Sequence, residues 1–245
     1  MKKSYIIIGV VVVVMLAAIG IYAAINSNFQ SKKQSKENST NIEGTTNTEN
    51  STKENNTENK DENIQNNQIS NESEENNMYS TGKHHAEIVV KNYGTIALEL
   101  DADVAPITVE NFANLVNEGF YNGLTFHRII SGFMIQGGDP LGNGTGGSSK
   151  TIKGEFASNG VKNSISHVRG TISMARSSMP NSASSQFFIV HQDSTFLDGK
   201  YAAFGTVTSG MEVVDKICAD TAVEDDNGTV AKNNQPVIEK ITIID

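Results

Sequence analysis

Arg128 is the side chain from which a chemical reading of this chain starts. It lies in the stretch Phe126 to Asp139, FHRIISGFMIQGGD, where apolar residues alternate as in a strand, with Phe126 and Ile130 on either side of it. A guanidinium in such a setting must reach water or find partners. Phe133, Met134 and Gln136 then repeat the arrangement, large apolar side chains interleaved with one amide, closed by Gly137, Gly138 and Asp139. Two antiparallel strands meeting at Ser131-Gly132 would bring Arg128 and Gln136 onto one face with Phe133 and Met134 nearby. That would be an apolar hollow with an amide and a fixed cation on its rim. An ordinary hairpin with a surface arginine fits the same residues, and this stretch alone does not choose between the two.

Other chemistries have weaker support. Gly142-Asn143-Gly144-Thr145-Gly146-Gly147 has the glycine spacing of a dinucleotide loop, but Ser148 to Gly154 follows with no helical apolar period, so no helix N-terminus would face a phosphate. The segment reads as a long surface loop. A hydrolase would need an activated serine; no Gly-x-Ser-x-Gly elbow is present, and Ser184, Ser185 and His191 read as loop and strand residues. His84-His85 lacks the spacing and carboxylate support of a metal site, and neither metal nor cofactor is expected. With one cysteine there can be no intrachain disulfide, and Cys218 reads as a small buried hydrophobe.

The elements that would hold Arg128 are mostly strands. Ala86 to Val90 and Thr95 to Leu100 form a hairpin around Asn92-Tyr93-Gly94, and a helix with Val109, Phe112, Ala113 and Val116 on one face starts near Pro106 and ends at Gly119. Thr171 to Ala175 and Gln186 to Val190 read as paired strands, Tyr201 to Val207 as another, Met211 to Cys218 as a short helix, and Val237 to Ile244 as a last strand. Few helices and many short strands predict a mainly β fold, an antiparallel barrel or sandwich with one or two capping helices.

Ahead of this domain the texture differs. Met1-Lys2-Lys3 precedes an apolar run from Ile6 to Ile25, and about 20 residues of helix span about 30 Å, enough to cross a bilayer. The two lysines and Tyr5 and Tyr22 fit a single-pass anchor, residues 1–25, with the rest of the chain on the extracytoplasmic face; a signal peptide cut near Ala18-Ile19-Gly20 is the rival reading. Residues 26–82, rich in Asn, Ser, Thr, Glu and Lys, cannot bury enough apolar surface to order themselves and read as a flexible linker; the globular domain is expected over 83–245. The net charge of -9, without a basic stripe, argues against nucleic acid as the main partner.

With both dense regions in view, the domain resembles the cyclophilins, the cyclosporin-type peptidyl-prolyl cis-trans isomerases. The resemblance spans roughly Ala86 to Ile244. It rests on four motifs in order: Phe126 to Asp139, Ser173-Met174-Ala175-Arg176, Ser185-Gln186-Phe187-Phe188-Ile189, and Phe196-Leu197-Asp198-Gly199-Lys200 leading to Phe204-Gly205. It implies a closed eight-stranded antiparallel barrel capped by two helices. It implies also that Arg128 is the catalytic arginine with Gln136 beside it, and that Phe133, Met134, Phe188 and Leu197 receive the proline ring. Ala175 and Arg176 would bind peptide backbone, and Gln186, Phe196, Tyr201, His127 and His167 would lie at or near the substrate. The implied partners are proline-containing polypeptides, among them unfolded or newly exported proteins. Two departures from the best-known pattern stand out. Phe196 replaces a tryptophan that donates a hydrogen bond to cyclosporin, and Tyr201 replaces a histidine, so at most weak cyclosporin binding is expected. A tethered peptide-binding holdase using the same groove is the alternative.

Overall fold

The computed structural model describes residues 78–245, so the expected anchor and almost all of the expected linker lie outside the described residues. No helix among the described residues is long and apolar enough to cross a membrane. Among the described residues, contacts to the domain begin before Lys83: Tyr79 accepts a hydrogen bond from Asn117 Nδ2 at 3.1 Å, and Gly82 N–H donates to Asp103 Oδ1 at 2.8 Å.

Strands β1 (Lys83–Val90) and β2 (Gly94–Asp101) form the expected hairpin. It turns through Asn92, which takes the left-handed conformation that asparagine tolerates. Helix α1 (Pro106–Asn117) begins at proline, and Gly119, at φ 70°, follows its end. Ala105 offers the helix start no side-chain acceptor. The buried carboxylate of Glu155, more than 40 residues on, does so instead, accepting from Thr108 N–H at 2.8 Å, Thr108 O–H at 2.6 Å and Ile107 N–H at 3.1 Å. Then come β3 (Phe126–Ile130), β4 (Met134–Gly137), β5 (Thr171–Met174), β6 (Phe187–Val190), β7 (Ala203–Ser209), helix α2 (Met211–Asp220) and β8 (Ile238–Ile243).

All pairings are antiparallel, in the order β3-β4-β6-β5-β7-β2-β1-β8. Among the described residues this is an eight-stranded half-barrel with two helices. The continuous closure expected from sequence is replaced by a short seam between the outer strands. Phe126 N–H donates to Pro236 O and Ile238 N–H to Leu124 O, beside a bridge from Thr125 to Val237.

Register decides which face each side chain takes. Across β3, β4, β6 and β5, Ile129, Ile135, Ile189 and Ile172 are successive partners and all four are buried in the core. The adjacent row, Arg128, Gln136, Phe188 and Ser173, faces the other way. Simple alternation along β3 would have put Phe126 on the same side as Arg128. The ladder instead shifts between them: Phe126 pairs with Gly137 and Arg128 with Gln136, so His127 is the extra residue of a β-bulge. Phe126 therefore turns into the core against Phe187, ring centroids 6.1 Å apart, and Arg128 turns out. Phe112 of α1 completes that core against Tyr121, Phe187 and Phe204.

Candidate active site

The β3–β4 turn is a tight one, with Phe133 N–H bonded to Ile130 O and Gly132 at φ 81° supplying the positive angle. It is tied to the end of β6: Gly132 N–H donates to His191 Nδ1 at 2.8 Å, and His191 N–H to Phe133 O at 2.8 Å. His191 reaches on to Asp215 of α2 at 3.1 Å. The turn that carries Phe133 is thus pinned by a side chain 59 residues away.

On the outer face a second apolar cluster stands apart from the main core. Met134, Phe188, Val190 and Leu197 are buried in it, and Ile130, Phe133, Ala175 and Tyr201 pack around them half-buried. The Phe196 ring, half exposed, lies 5.6 Å from that of Phe133. Tyr201 meets Phe188 edge-on at 6.0 Å. It stands in the turn before β7 rather than within the strand expected from residue 201, which lets its side chain reach this cluster.

Beneath Phe188, His167 stacks at 6.0 Å and an interplanar angle of 17°. Burial lowers the His167 pKa despite the neighbouring Asp198. The neutral ring that results donates from Nδ1 to Asp198 Oδ1 at 2.8 Å and accepts the Ser173 hydroxyl at Nε2, 3.0 Å. A serine, histidine and aspartate are therefore in line, yet Ser173 has no exposed surface, so no substrate reaches its Oγ. The line supports the floor of the cluster.

Arg128 lies along the rim. Its Nη1 is 3.3 Å from Gln136 Oε1 and 4.0 Å from Met134 Sδ. Its Nε and Nη2 donate to the backbone and side-chain oxygens of Asn227 at 2.8 and 3.0 Å. Burial lowers its pKa from the usual arginine value while Tyr201 and Asp225 pull it back up, and an arginine so placed stays charged. The orientation of Gln136 is set in turn: its Nε2 donates to Gln186 Oε1 at 2.8 Å, and Gln186 Nε2 donates to Gly144 O and Gly146 O at 3.2 and 2.7 Å. A chain of amides joins the guanidinium to the glycine-rich loop.

That loop lines the site, contrary to its reading as a plain surface loop. With Gln136, Ala175, Arg176, Ser182, Ser184 and Gln186, residues Gly144 to Ser148 border a polar groove of about 370 Å3. Asp139 shapes the loop by accepting N–H groups from Leu141, Asn143 and Gly144 at 2.8, 3.0 and 2.6 Å. Burial by itself would raise the Asp139 pKa, but these backbone donors outweigh it and hold the carboxyl below its usual value. A Cβ on Gly146 would collide with Asp139 Oδ1, and one on Gly147 with Ser184 Oγ, so the close packing needs glycine.

Most of the residues expected at the site, Arg176 among them, are gathered around this rim, while His127 and His167 are buried beneath it. His127 is buried in the bulge below Gly144, both ring nitrogens without a hydrogen-bond partner, and lines neither the cluster nor the groove. Burial lowers its pKa, with Asp139 opposing and Arg128 reinforcing that shift. The Arg176 guanidinium is occupied: it lies between the rings of Phe156 and Tyr201, 5.0 and 4.7 Å from their centroids, and donates to Lys200 O and Ser177 O. It braces Tyr201, and Arg176 also borders the groove. Asn227, the glycine loop, Ser182 and Ser184 were missed. The glycine spacing of the loop and Asp225-Asp226-Asn227-Gly228 carried local signals, but only those of a loop and a turn.

Comparison with known proteins identifies the family. A family model described as "Cyclophilin type peptidyl-prolyl cis-trans isomerase/CLD" matches residues 85–244. The chain is 51% identical over 128 residues to a peptidyl-prolyl cis-trans isomerase of Helicobacter pylori, covering 51% of this chain and 76% of that protein. It is 50% identical over 117 residues to peptidyl-prolyl cis-trans isomerase B of Bacillus subtilis, covering 48% and 78%. It also resembles the crystal structure of a Cryptosporidium parvum cyclophilin-type isomerase determined in the presence of the dipeptide Ala-Pro. There the TM-score is 0.58 at 31% identity, over 66% of this chain and 99% of that one.

Proposed function

The chain belongs to the cyclophilin-type peptidyl-prolyl cis-trans isomerases, and on that premise we propose that Arg128 is the group that accelerates rotation about X-Pro bonds here. The observation that carries this reading is the guanidinium held by Gln136 and Asn227 at the edge of the Met134, Phe188 and Leu197 cluster. Amide resonance holds the X-Pro bond behind a barrier of about 18–20 kcal/mol. Twisting the bond localises the lone pair on the proline nitrogen, and no covalent bond is made or broken. The apolar cluster grips the ring through Phe133, Met134, Phe188 and Leu197 while the acyl side turns. Arg128 donates a hydrogen bond that strengthens as the amide loses its resonance, and a preorganised charged donor is suited to that task. Gln136 positions it. The groove bordered by Ala175, Arg176 and Gln186 runs beside the cluster and suits the peptide on the acyl side.

The reading extends to partners and location. Proline-containing segments of unfolded, newly exported proteins are the substrates, and the apolar run after Lys2 and Lys3 anchors the enzyme with its domain outside the cytoplasm. Phe196 has no N–H to offer cyclosporin, so binding of that ligand is weak.

The test is a protease-coupled or exchange-NMR assay of the full chain on an Ala-Pro peptide. Rate acceleration is expected; a folded but inactive protein would leave only a peptide-binding module. N-terminal sequencing of the mature protein separates a retained anchor from a cleaved signal.

A further inference from the structure

Gln136 is not the only residue holding Arg128, nor the one that holds it at most points. Asn227 takes two of its N–H groups, Nε at 2.8 Å through the backbone carbonyl and Nη2 at 3.0 Å through the side-chain oxygen. Both contacts lie on one edge of the planar guanidinium. Of its five N–H donors, Gln136 takes a third, on Nη1 at 3.3 Å. One hydrogen remains on Nη2, and the second on Nη1 has only the long 4.0 Å contact to Met134 Sδ, so the end of the fork is the part best able to meet a substrate.

The loop that presents Asn227 is built for fixed presentation although Asn227 itself is exposed. Gly228 N–H closes a turn onto Asp225 O at 3.0 Å, and the Asp225 carboxylate takes Thr229 N–H and O–H, each at 2.9 Å. The turn docks on the free edge of β3: Ile129 N–H donates to Gly228 O at 2.8 Å and Val230 N–H to His127 O at 3.0 Å. Gly228, at φ 80°, has no room for a Cβ, which would strike Ile129 O. The peptide that carries the Asn227 carbonyl is therefore pressed against the very strand that carries Arg128. Burial disfavours the guanidinium's charge, and Asp225 in the same turn offsets this.

We propose that Asn227 is a positioning residue of the isomerase reaction: it clamps the Nε–Nη2 edge of Arg128, which leaves the Nη1–Nη2 end to face the X-Pro amide. This rests on the reading of Arg128 as the donor. An unclamped arginine would sample other rotamers and present Nε or the fork indiscriminately, which lowers turnover without weakening the grip of the apolar cluster on the ring.

The experiment uses the full chain and two substitutions at an exposed position, Asn227→Ala and Asn227→Asp, with thermal unfolding to verify the fold. For Asn227→Ala we expect kcat on an Ala-Pro peptide to fall about tenfold with KM within about twofold, the signature of an interaction that matters only in the transition state. Asn227→Asp, which keeps an acceptor oxygen in the same place, should recover to within about threefold of the parent. In 15N spectra the Arg128 Nε–H signal should broaden in Asn227→Ala and return in Asn227→Asp. An active parent with an equally active Asn227→Ala would overturn this inference alone, as would a loss carried by KM. An inactive parent would sink both this and the reading it rests on.

Discussion

Phe187 and Phe188 are the same residue one step apart on β6, and they serve different halves of the molecule. Phe187 points inward, where Phe112, Tyr121 and Phe126 surround it at centroid distances of 5.7, 5.6 and 6.1 Å. Phe188 points outward, between His167 and Tyr201, beside Met134 and Leu197. Both are nearly inaccessible to solvent, so burial alone would not tell them apart. What separates them is company: one ring is enclosed by other aromatic rings of the core, whereas the other shares its face with a guanidinium, an amide and a histidine. The inner face of these strands is built to exclude water, and the outer face carries a smaller apolar cluster bordered by charged and polar groups.

Substitutions can break that distinction. Phe187→Ala should cost roughly 3–5 kcal/mol of stability by opening a cavity among rigid rings, readable as a shift in urea midpoint. Phe188→Ala should cost distinctly less because its surroundings border the surface, yet it should raise KM for an Ala-Pro peptide severalfold. Equal destabilisation by the two would end the contrast.

Next in size comes Arg128→Lys, which keeps the charge but loses the planar fork that Gln136 and Asn227 hold. Its kcat/KM should fall about 100-fold, on the order of 3 kcal/mol, with unfolding unchanged. Near-parental rates in exchange NMR would remove Arg128 from its role. Gln136→Leu, which cuts the amide chain to Gln186 but adds no charge, should reduce kcat about tenfold, the order expected when a positioned donor is left loose. An unaffected kcat would mean that Asn227 alone suffices.

The smallest effect concerns pH. Burial lowers the pKa of both His127 and His167 in the native state, so the unfolded chain takes up protons, near its ordinary value of about 6.5, before the native protein does. Stability should be complete above that pH and decline as the pH falls below it. A further loss should follow nearer pH 4, where Asp139 and Asp198 resist protonation. For Asp198, burial would raise the pKa, but hydrogen bonds from Ser166 and His167 hold it low. Urea midpoints measured from pH 7.5 to 5 test this, and a flat profile would show that neither histidine resists protonation.

How much of this was legible in advance differs by feature. The strand-rich pattern, both helices and the β3–β4 hairpin were readable because each depends on residues close in sequence. Local alternation marks a strand, proline and glycine mark helix ends, and Ser131-Gly132 marks a turn. The pairing of Arg128 with Gln136 was readable for the same reason. The inward turn of Phe126 was not, because a bulge moves no residue in the sequence and declares itself only when β3 is laid against β4. The same limit hid the burial of His127, which follows from that bulge.

What the chain determined by itself was the inventory: a cation among apolar residues, an amide eight positions on, and four ordered motifs that mark a family. Tertiary structure decided which of those groups work together. Asn227 reaches Arg128 across 99 residues, Gln186 reaches the glycine loop across 40, and Arg176 braces Tyr201. Contacts of that separation depend on how strands are registered and loops docked. Single exposed asparagines and glycines carry no pattern from which such docking can be read, so the grip on Arg128 became visible only once the fold had closed around it.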